Sequence, residues 1–442
     1  MAVAEIASEQ IADVVLWGTR VGVVTWDVER QLGFFRYDPA FLNAPVEVAP
    51  LMMPKASKVY YFETLNRDSF KGLPGLLADA LPDKFGNQLI DRWLVERDRD
   101  PASFSPVERL CYVGSRAMGA LEFYPATDGV DVVSQTLQVD ELVALANQVL
   151  SERQAFHTNL DKGGSAQALE SILQVGTSAG GARAKAVIAW HPQTGEVRSG
   201  QVDNNEGFQY WLLKFDGVGN NRDKELADPQ GFGRLEYAYY LMAQEAGINM
   251  ADCRLMEEGG RAHFMTRRFD RPEVGGKLHM QSLCAMAHFD FNMAGAYSYE
   301  QALRVVRQLQ MGDEHQALVQ LYRRMVFNIV ARNQDDHTKN IAFLMDRRGN
   351  WSLAPAFDVT YAYNPVGEWT SQHQMSANGK RDNFTEEDLI AVGKKADLTA
   401  ARSRKIIDEV KSACEQWPHF AKQAGVDKAW REEVQSHFRL MV

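Results

Sequence analysis

The sequence predicts an α+β fold, with a β-rich N-terminal subdomain ahead of a mostly helical C-terminal lobe. Three observations predict it. Residues 13–37 hold short apolar runs broken by turn residues. From residue 300 onward apolar residues recur at helical spacing. Between a helical run and a short apolar run sits Asn333-Gln334-Asp335-Asp336-His337-Thr338-Lys339-Asn340, dense in carboxylates, amides, an imidazole and an ammonium. A soluble turn does not need that density.

The elements follow in order. Val14-Val15-Leu16, Val21 to Trp26 and Leu32 to Tyr37 read as strands joined by hairpin turns, the first at Trp17-Gly18-Thr19. Such a meander makes a small curved sheet suited to scaffolding or docking. Phe70-Lys71-Gly72-Leu73-Pro74-Gly75 is a Gly/Pro turn, and a helix is expected from about Phe85 to Leu94. Asp79 and Asp83 before it are either site residues or, more cheaply explained, N-capping and turn residues. A polar segment at 126–136 marks the first boundary, with a helix after it from Val139 to Leu150. The expected domains are 1–130, 131–270 and 271–442.

Gly176-Thr177-Ser178-Ala179-Gly180-Gly181-Ala182-Arg183-Ala184-Lys185 precedes a strand. Small residues followed by a base suit a loop whose N–H groups approach phosphates, and equally suit a hairpin turn. The spacing is not that of a Walker loop, because Ala182 stands at the lysine position. Lys214 lies inside the apolar run 210–215. It either snorkels to the surface or pairs with phosphate and with a carboxylate on the next helix. Glu236 opens that helix, and its alternative role is to complement the helix dipole. Arg268-Phe269-Asp270-Arg271 ends the following strand, where Asp270 is either salt-bridged or an acceptor for ribose hydroxyls. Near the C-terminus, Thr385-Glu386-Glu387-Asp388 reads as a capping box, with helices at about 399–416 and 427–440.

The chain has 442 residues, 45 % of them hydrophobic, so it can bury substantial cores. A formal charge of −10 argues against a surface that coats nucleic acid. Four scattered cysteines without a C-x-x-C pair fit a reduced, cytoplasmic protein. No apolar stretch is long enough to span a membrane, and the first ten residues do not read as a signal peptide.

The octet carries the functional reading. Asp335 precedes Asn340 by five residues, and Phe357-Asp358 follows eighteen residues after Asn340. Phosphoryl transfer needs one carboxylate to orient or deprotonate a hydroxyl, and an amide plus a second carboxylate to hold Mg²⁺ on nucleotide phosphates. The competing reading is a solvated helix–strand turn.

With these pieces in order the sequence resembles the HipA-type serine/threonine kinases, the toxins of bacterial type II toxin–antitoxin pairs. The resemblance rests on residues 70–79, Gly181-Ala182-Arg183-Ala184-Lys185, Leu212-Leu213-Lys214, Arg268-Phe269-Asp270-Arg271, residues 335–340 and Phe357-Asp358-Val359. It implies a bilobal protein-kinase-like fold, ATP and Mg²⁺. Asp335 would be the catalytic base, with His337 and Lys339 shaping the loop and Lys339 neutralising the phosphoryl group. Asn340 and Asp358 would bind the metal. Gly180, Gly181, Ala182, Lys185, Lys214, Phe269 and Asp270 would line the nucleotide, Lys214 at phosphate and Asp270 at ribose. Ser178 aligns with an autophosphorylated serine. A small DNA-binding HipB-like antitoxin is the implied partner, with DNA bound only through it, and an aminoacyl-tRNA synthetase is the kind of protein substrate implied. Arg267 departs from the Glu common in relatives, and residues 282–300 lack their usual Pro/Gln-rich pattern. The alternative functions are a small-molecule kinase and a non-catalytic kinase-like binding module.

Overall fold

A computed structural model describes residues 10–125, 137–151, 184–201, 207–218, 231–272 and 275–441. Among them, three antiparallel sheets and a set of helices form the fold.

The first sheet contains β1 (Ile11–Leu16), β2 (Thr19–Asp27), β3 (Leu32–Tyr37), β4 (Val59–Tyr60) and β5 (Leu121–Tyr124), in the order β4-β3-β2-β1-β5. Its first hairpin turns at Trp17 and Gly18, both with positive φ (51° and 79°), which matches the twist of the flanking strands. Alternation then places Ala12, Val14, Leu16, Val24, Trp26, Phe35 and Tyr37 on the buried side. Beyond β4 and two single-turn helices come α1 (Lys84–Val95) and α2 (Pro106–Val113). After them comes α3 (Val139–Ser151).

The second sheet is built from β6 (Lys185–Trp190), β7 (Val197–Ser199), β8 (Gln209–Lys214), β9 (Cys253–Glu258) and β10 (Arg261–Arg267), ordered β7-β6-β8-β10-β9. On one face, Ala186, Ile188, Trp211 and Leu213 share a core with Phe85, Leu89, Ile90 and Trp93 of α1 and Leu142 of α3. Burial of each large apolar side chain contributes roughly 1.5–3 kcal/mol. That packing draws the start of α1 to the start of β6, which brings an N-terminal residue near the site described below. On the other face lies α4 (Phe232–Glu245), which Gly247 terminates at φ 76°.

The helical part adds α5 (Tyr299–Gln308), α6 (Glu314–Val330), α7 (Glu386–Lys395), α8 (Ala400–Glu415), α9 (Trp417–Gln423) and α10 (Lys428–His437). The capping box of α7 is present, with Thr385 and Asp388 in reciprocal hydrogen bonds. The last small sheet, β11 (His279–Ser282), β12 (Ala342–Met345) and β13 (Trp351–Leu353), sits inside this part. One apolar cluster runs from the first sheet through α4 to α6 and α8, so both ends of the chain share a core. The fold is therefore mixed α/β, β-rich at the start and helical toward the end. The short helix α9, which the sequence reading did not separate, begins at Trp417 with Pro418 in its first turn.

Candidate active site

The octet forms the link between α6 and β12. Twelve buried side chains of α6, among them Leu321, Met325, Val326 and Ile329, anchor the helix in the core, so the link starts from a fixed point. Arg332 turns the chain with φ 58°. Asn333 then bonds back to Asn328, and Gln334 N–H donates to the Ala362 carbonyl at 3.0 Å.

The adjacent carboxylates differ completely. Asp336 is buried and accepts from the Tyr299 hydroxyl (2.7 Å), His373 Nδ1 (2.9 Å) and the Gln374 N–H (2.7 Å). Burial raises its carboxyl, but His373 and these donors outweigh it and hold the group below the usual range. Asp336 is therefore a bolt for the loop. Asp335 stays 34 % exposed and accepts one hydrogen bond from Trp369 Nε1, at 2.7 Å. Desolvation by the surrounding protein pushes its carboxyl up, with Asp358 and Asp336 adding to the effect against His337 and the Trp369 donor. A partly exposed carboxylate with a raised pKa suits a general base.

Asn340 closes the loop: its Nδ2 donates to the Asp335 carbonyl at 2.9 Å, within the turn Thr338–Asn340. Thr338 ties the same turn to the Phe289 carbonyl at 2.7 Å. The Lys339 ammonium lies 4.6 Å from the centre of the Phe291 ring, and the His337 ring lies 5.6 Å from it. Both residues thus pack on the segment 282–300 that departs from the usual pattern.

Two distant segments converge on Lys214. From β8 its Nζ reaches Glu236 Oε1 of α4 at 2.6 Å and Asp358 Oδ1 at 2.5 Å. Lys214 does not snorkel to the surface: it is only 9 % exposed, and its carboxylate partner Glu236 lies on the next helix. Asp358 adopts φ 54°, an uncommon conformation for a non-glycine residue, and lines a small cavity together with Asn340 and His337. Phe357 just before it meets Phe269, with ring centres 5.5 Å apart. Lys185 is buried at the edge of the same region.

One residue needs correction. Asp270 is fully buried; Arg268 donates to both its oxygens (3.0 and 2.6 Å), Arg271 to Oδ2 (2.7 Å), and the Gly119 N–H also to Oδ2 (2.7 Å). Burial raises its carboxyl, yet the two arginines hold it far below the usual range. It is a salt-bridged strand end that fastens the N-terminal sheet, not an open acceptor for ribose hydroxyls. Ser178, Gly180, Gly181 and Ala182 lie outside the described residues.

Sequence reasoning missed Trp369 and the partners of Asp336. Trp369, His373 and Gln374 come from the segment 361–381, which has no periodicity or motif to single them out, and Tyr299 comes from the start of α5. Asp83 caps α1 by accepting from the Gly86 N–H at 2.6 Å, as its position before the helix suggests. Its second contact, with Lys185 at 3.4 Å, was not visible in the sequence.

The donors at Asn340 and Asp358 are a carboxamide and a carboxylate, hard oxygens that fit Mg²⁺. Two such side chains are too few to enclose a cation, and Mg²⁺ usually completes its shell with substrate phosphates and water. Among the described residues no cluster of three His, Cys, Asp or Glu could hold a metal unaided.

Curated relatives include "Putative kinase Y4dM" of Sinorhizobium fredii, 23 % identical over 42 % of this chain and 47 % of that protein. Another is a Haemophilus influenzae protein named "Putative kinase", 25 % identical over 28 % of this chain and 39 % of that one. The chain thus spans about half the length, or less, of the curated relatives it matches. Among solved structures, HipA from the Shewanella oneidensis MR-1 toxin–antitoxin complex with HipB and operator DNA superposes with a TM-score of 0.66. The match covers 96 % of this chain and 94 % of that one at 14 % identity, a likeness of fold. The sequence itself matches the HipA N-terminal domain over residues 12–124 and the HipA-like C-terminal domain over residues 177–417. With the second match alone covering more than half of its length, the chain belongs to the HipA family.

Proposed function

We propose that this protein is an ATP- and Mg²⁺-dependent serine/threonine protein kinase, acting as the toxin of a type II toxin–antitoxin pair in the cytoplasm. The observation that carries the reading is the convergence of Lys214, Glu236 and Asp358 beside the partly exposed Asp335. Glu236 and Asp358 hold the Lys214 ammonium in place, ready for phosphate oxygens. In the reaction Asp335 accepts the proton of a serine or threonine hydroxyl. The hydroxyl oxygen bonds to the γ-phosphorus as the bond to the β–γ bridging oxygen breaks, and that electron pair leaves with ADP. Lys185 and Lys339 supply further positive charge. Asn340 and Asp358 would hold Mg²⁺, which when bound neutralises phosphate charge. Asp336 keeps the loop rigid while this happens, since its three donors belong to other segments of the fold.

The partner proposed is a small DNA-binding antitoxin of the HipB kind, with DNA contacted only through it. The Shewanella relative is found with such a partner on operator DNA, and a chain of charge −10 is ill suited to bind DNA by itself. Among the described residues no helix is long and apolar enough to cross a membrane. The protein substrate is proposed to be a translation-related protein such as an aminoacyl-tRNA synthetase. Incubation with labelled Mg·ATP and a cell lysate tests the reading. Labelled protein bands are expected; label only on small molecules would make it a small-molecule kinase, and no transfer at all a binding module. Ser178 is proposed as an autophosphorylation site. Mass spectrometry should find phosphate there after incubation with Mg·ATP, and its absence in an enzyme active on other proteins would remove the site.

A further inference from the structure

Lys185 and Lys214 are register partners across the antiparallel β6/β8 pair. Like charges directly opposed on one sheet face repel. Here both are buried, at 2 % and 9 % exposure, so water screens them little. Each ammonium has a carboxylate of its own. Lys214 takes Glu236 and Asp358. Lys185 takes Asp83, with 3.4 Å between Nζ and Oδ2, an ion pair whose two side chains are each 3 % exposed.

Asp83 comes from the N-terminal domain. Its Oδ1 caps α1 and its Oδ2 faces Lys185, so one carboxylate serves two elements. Capping alone does not account for this burial. Asp100 and Asp427 cap short and long helical segments here by the same chemistry at exposed positions. Burial pushes the Asp83 carboxyl up to about 6 despite Lys185, the Gly86 N–H and Lys339, and it pushes the Lys185 ammonium down. A buried pair of this kind is costly and is seldom kept for stability. Its surroundings offer another reason: Lys185 feels Lys214 and Asp358, and Asp83 feels Lys339 of the octet. Asp83 therefore stands among the lysines that surround the nucleotide site.

We propose that Asp83 is a positioning residue for nucleotide phosphates: through Lys185 it holds a second ammonium beside Lys214, making the N-terminal domain an integral part of the kinase site. The proposal rests on the nucleotide reading given above. It changes the role of the N-terminal domain from docking module to contributor of site chemistry.

Two variants separate charge from cap. Asp83→Asn keeps an N-cap of similar quality and removes the charge. Asp83→Glu keeps the charge on a longer side chain. Mg·ADP binding to the full chain by calorimetry, melting temperature, and KM and kcat for ATP are measured for each. In Asp83→Asn, Mg·ADP affinity should fall about tenfold, with KM rising more than kcat falls. Asp83→Glu should recover most of that affinity. Asp83→Asn binding within about twofold of wild type, with an unchanged KM, would overturn the proposal. If Asp83→Asn melts far below wild type, Asp83→Glu decides: wild-type affinity upholds the role, and an equal loss makes Asp83 a structural cap only. Wild-type protein that binds no Mg·nucleotide would instead overturn the nucleotide reading, and the proposal with it.

Discussion

The two five-stranded sheets are both antiparallel, yet they spend burial differently. In the first sheet the inward side chains are apolar, and the charges of Arg20, Asp13 and Asp38 stay in contact with solvent. In the second, Lys185, Lys214, His263 and Thr266 are buried along with the strands that carry them. Burying polar and charged groups costs stability unless each is paired. Here each lysine is paired, from α4, from the segment at Asp358 or from the start of α1. The difference teaches where function resides. The first sheet is built for cohesion, whereas the second accepts an electrostatic cost to hold cations at a fixed place.

The largest effect should come from making the second sheet resemble the first. Lys214→Met alone leaves Glu236 buried without its cation and should cost about 3–5 kcal/mol of stability. Lys214→Met with Glu236→Leu should recover most of that stability and still lack phosphoryl transfer. Denaturant unfolding and a phosphotransfer assay on the same samples check both statements. Recovery of activity along with stability would return the pair to a purely structural role.

A second contrast lies at the seam between the halves. His279 on β11 is fully buried; its Nε2 meets the Val48 carbonyl at 3.1 Å and its Nδ1 has no hydrogen-bond partner among the described residues. Burial lowers its pKa to about 4. The folded state therefore binds fewer protons than the unfolded chain, whose histidine titrates near 6.5. Stability from this site is complete above about pH 6.5 and is lost as pH falls toward 4, with about 2 kcal/mol gone by pH 5. A His279→Gln protein should show a flatter stability profile between pH 7 and 5. An equally steep profile would assign the acid sensitivity elsewhere.

Smaller in energy is the change at Asp358. Asp358→Asn replaces an anionic oxygen and weakens the partner of Lys214, so the Mg²⁺ needed for half-maximal activity should rise by about tenfold. An unchanged Mg²⁺ titration would make Asp358 structural.

Much of the fold could be read from local rules. The hairpin at Trp17-Gly18, the capping box at Thr385 and Asp388, the helix through Leu321 to Val330 and the stop at Gly247 all depend on neighbours within a few residues. The site was readable where its groups cluster in sequence, as in residues 335–340. Local sequence could not choose between the two fates of Lys214, because Glu236 and Asp358 are brought to it by tertiary packing. The same holds for Trp369 on Asp335, for His373 on Asp336 and for Asp83 on Lys185. Asp270 went the other way: its motif pointed to a ligand, but the arginines on either side of it take up the carboxylate.

Asp335→Asn tests the central claim most directly. Asparagine keeps an acceptor for Trp369 Nε1 and the loop geometry, but it cannot take a proton. Transfer of labelled phosphate from Mg·ATP should fall by about 10²–10⁴-fold, with folding stability within about 0.5 kcal/mol of wild type. An Asp335→Asn protein that folds normally and transfers phosphate at the wild-type rate would contradict the account.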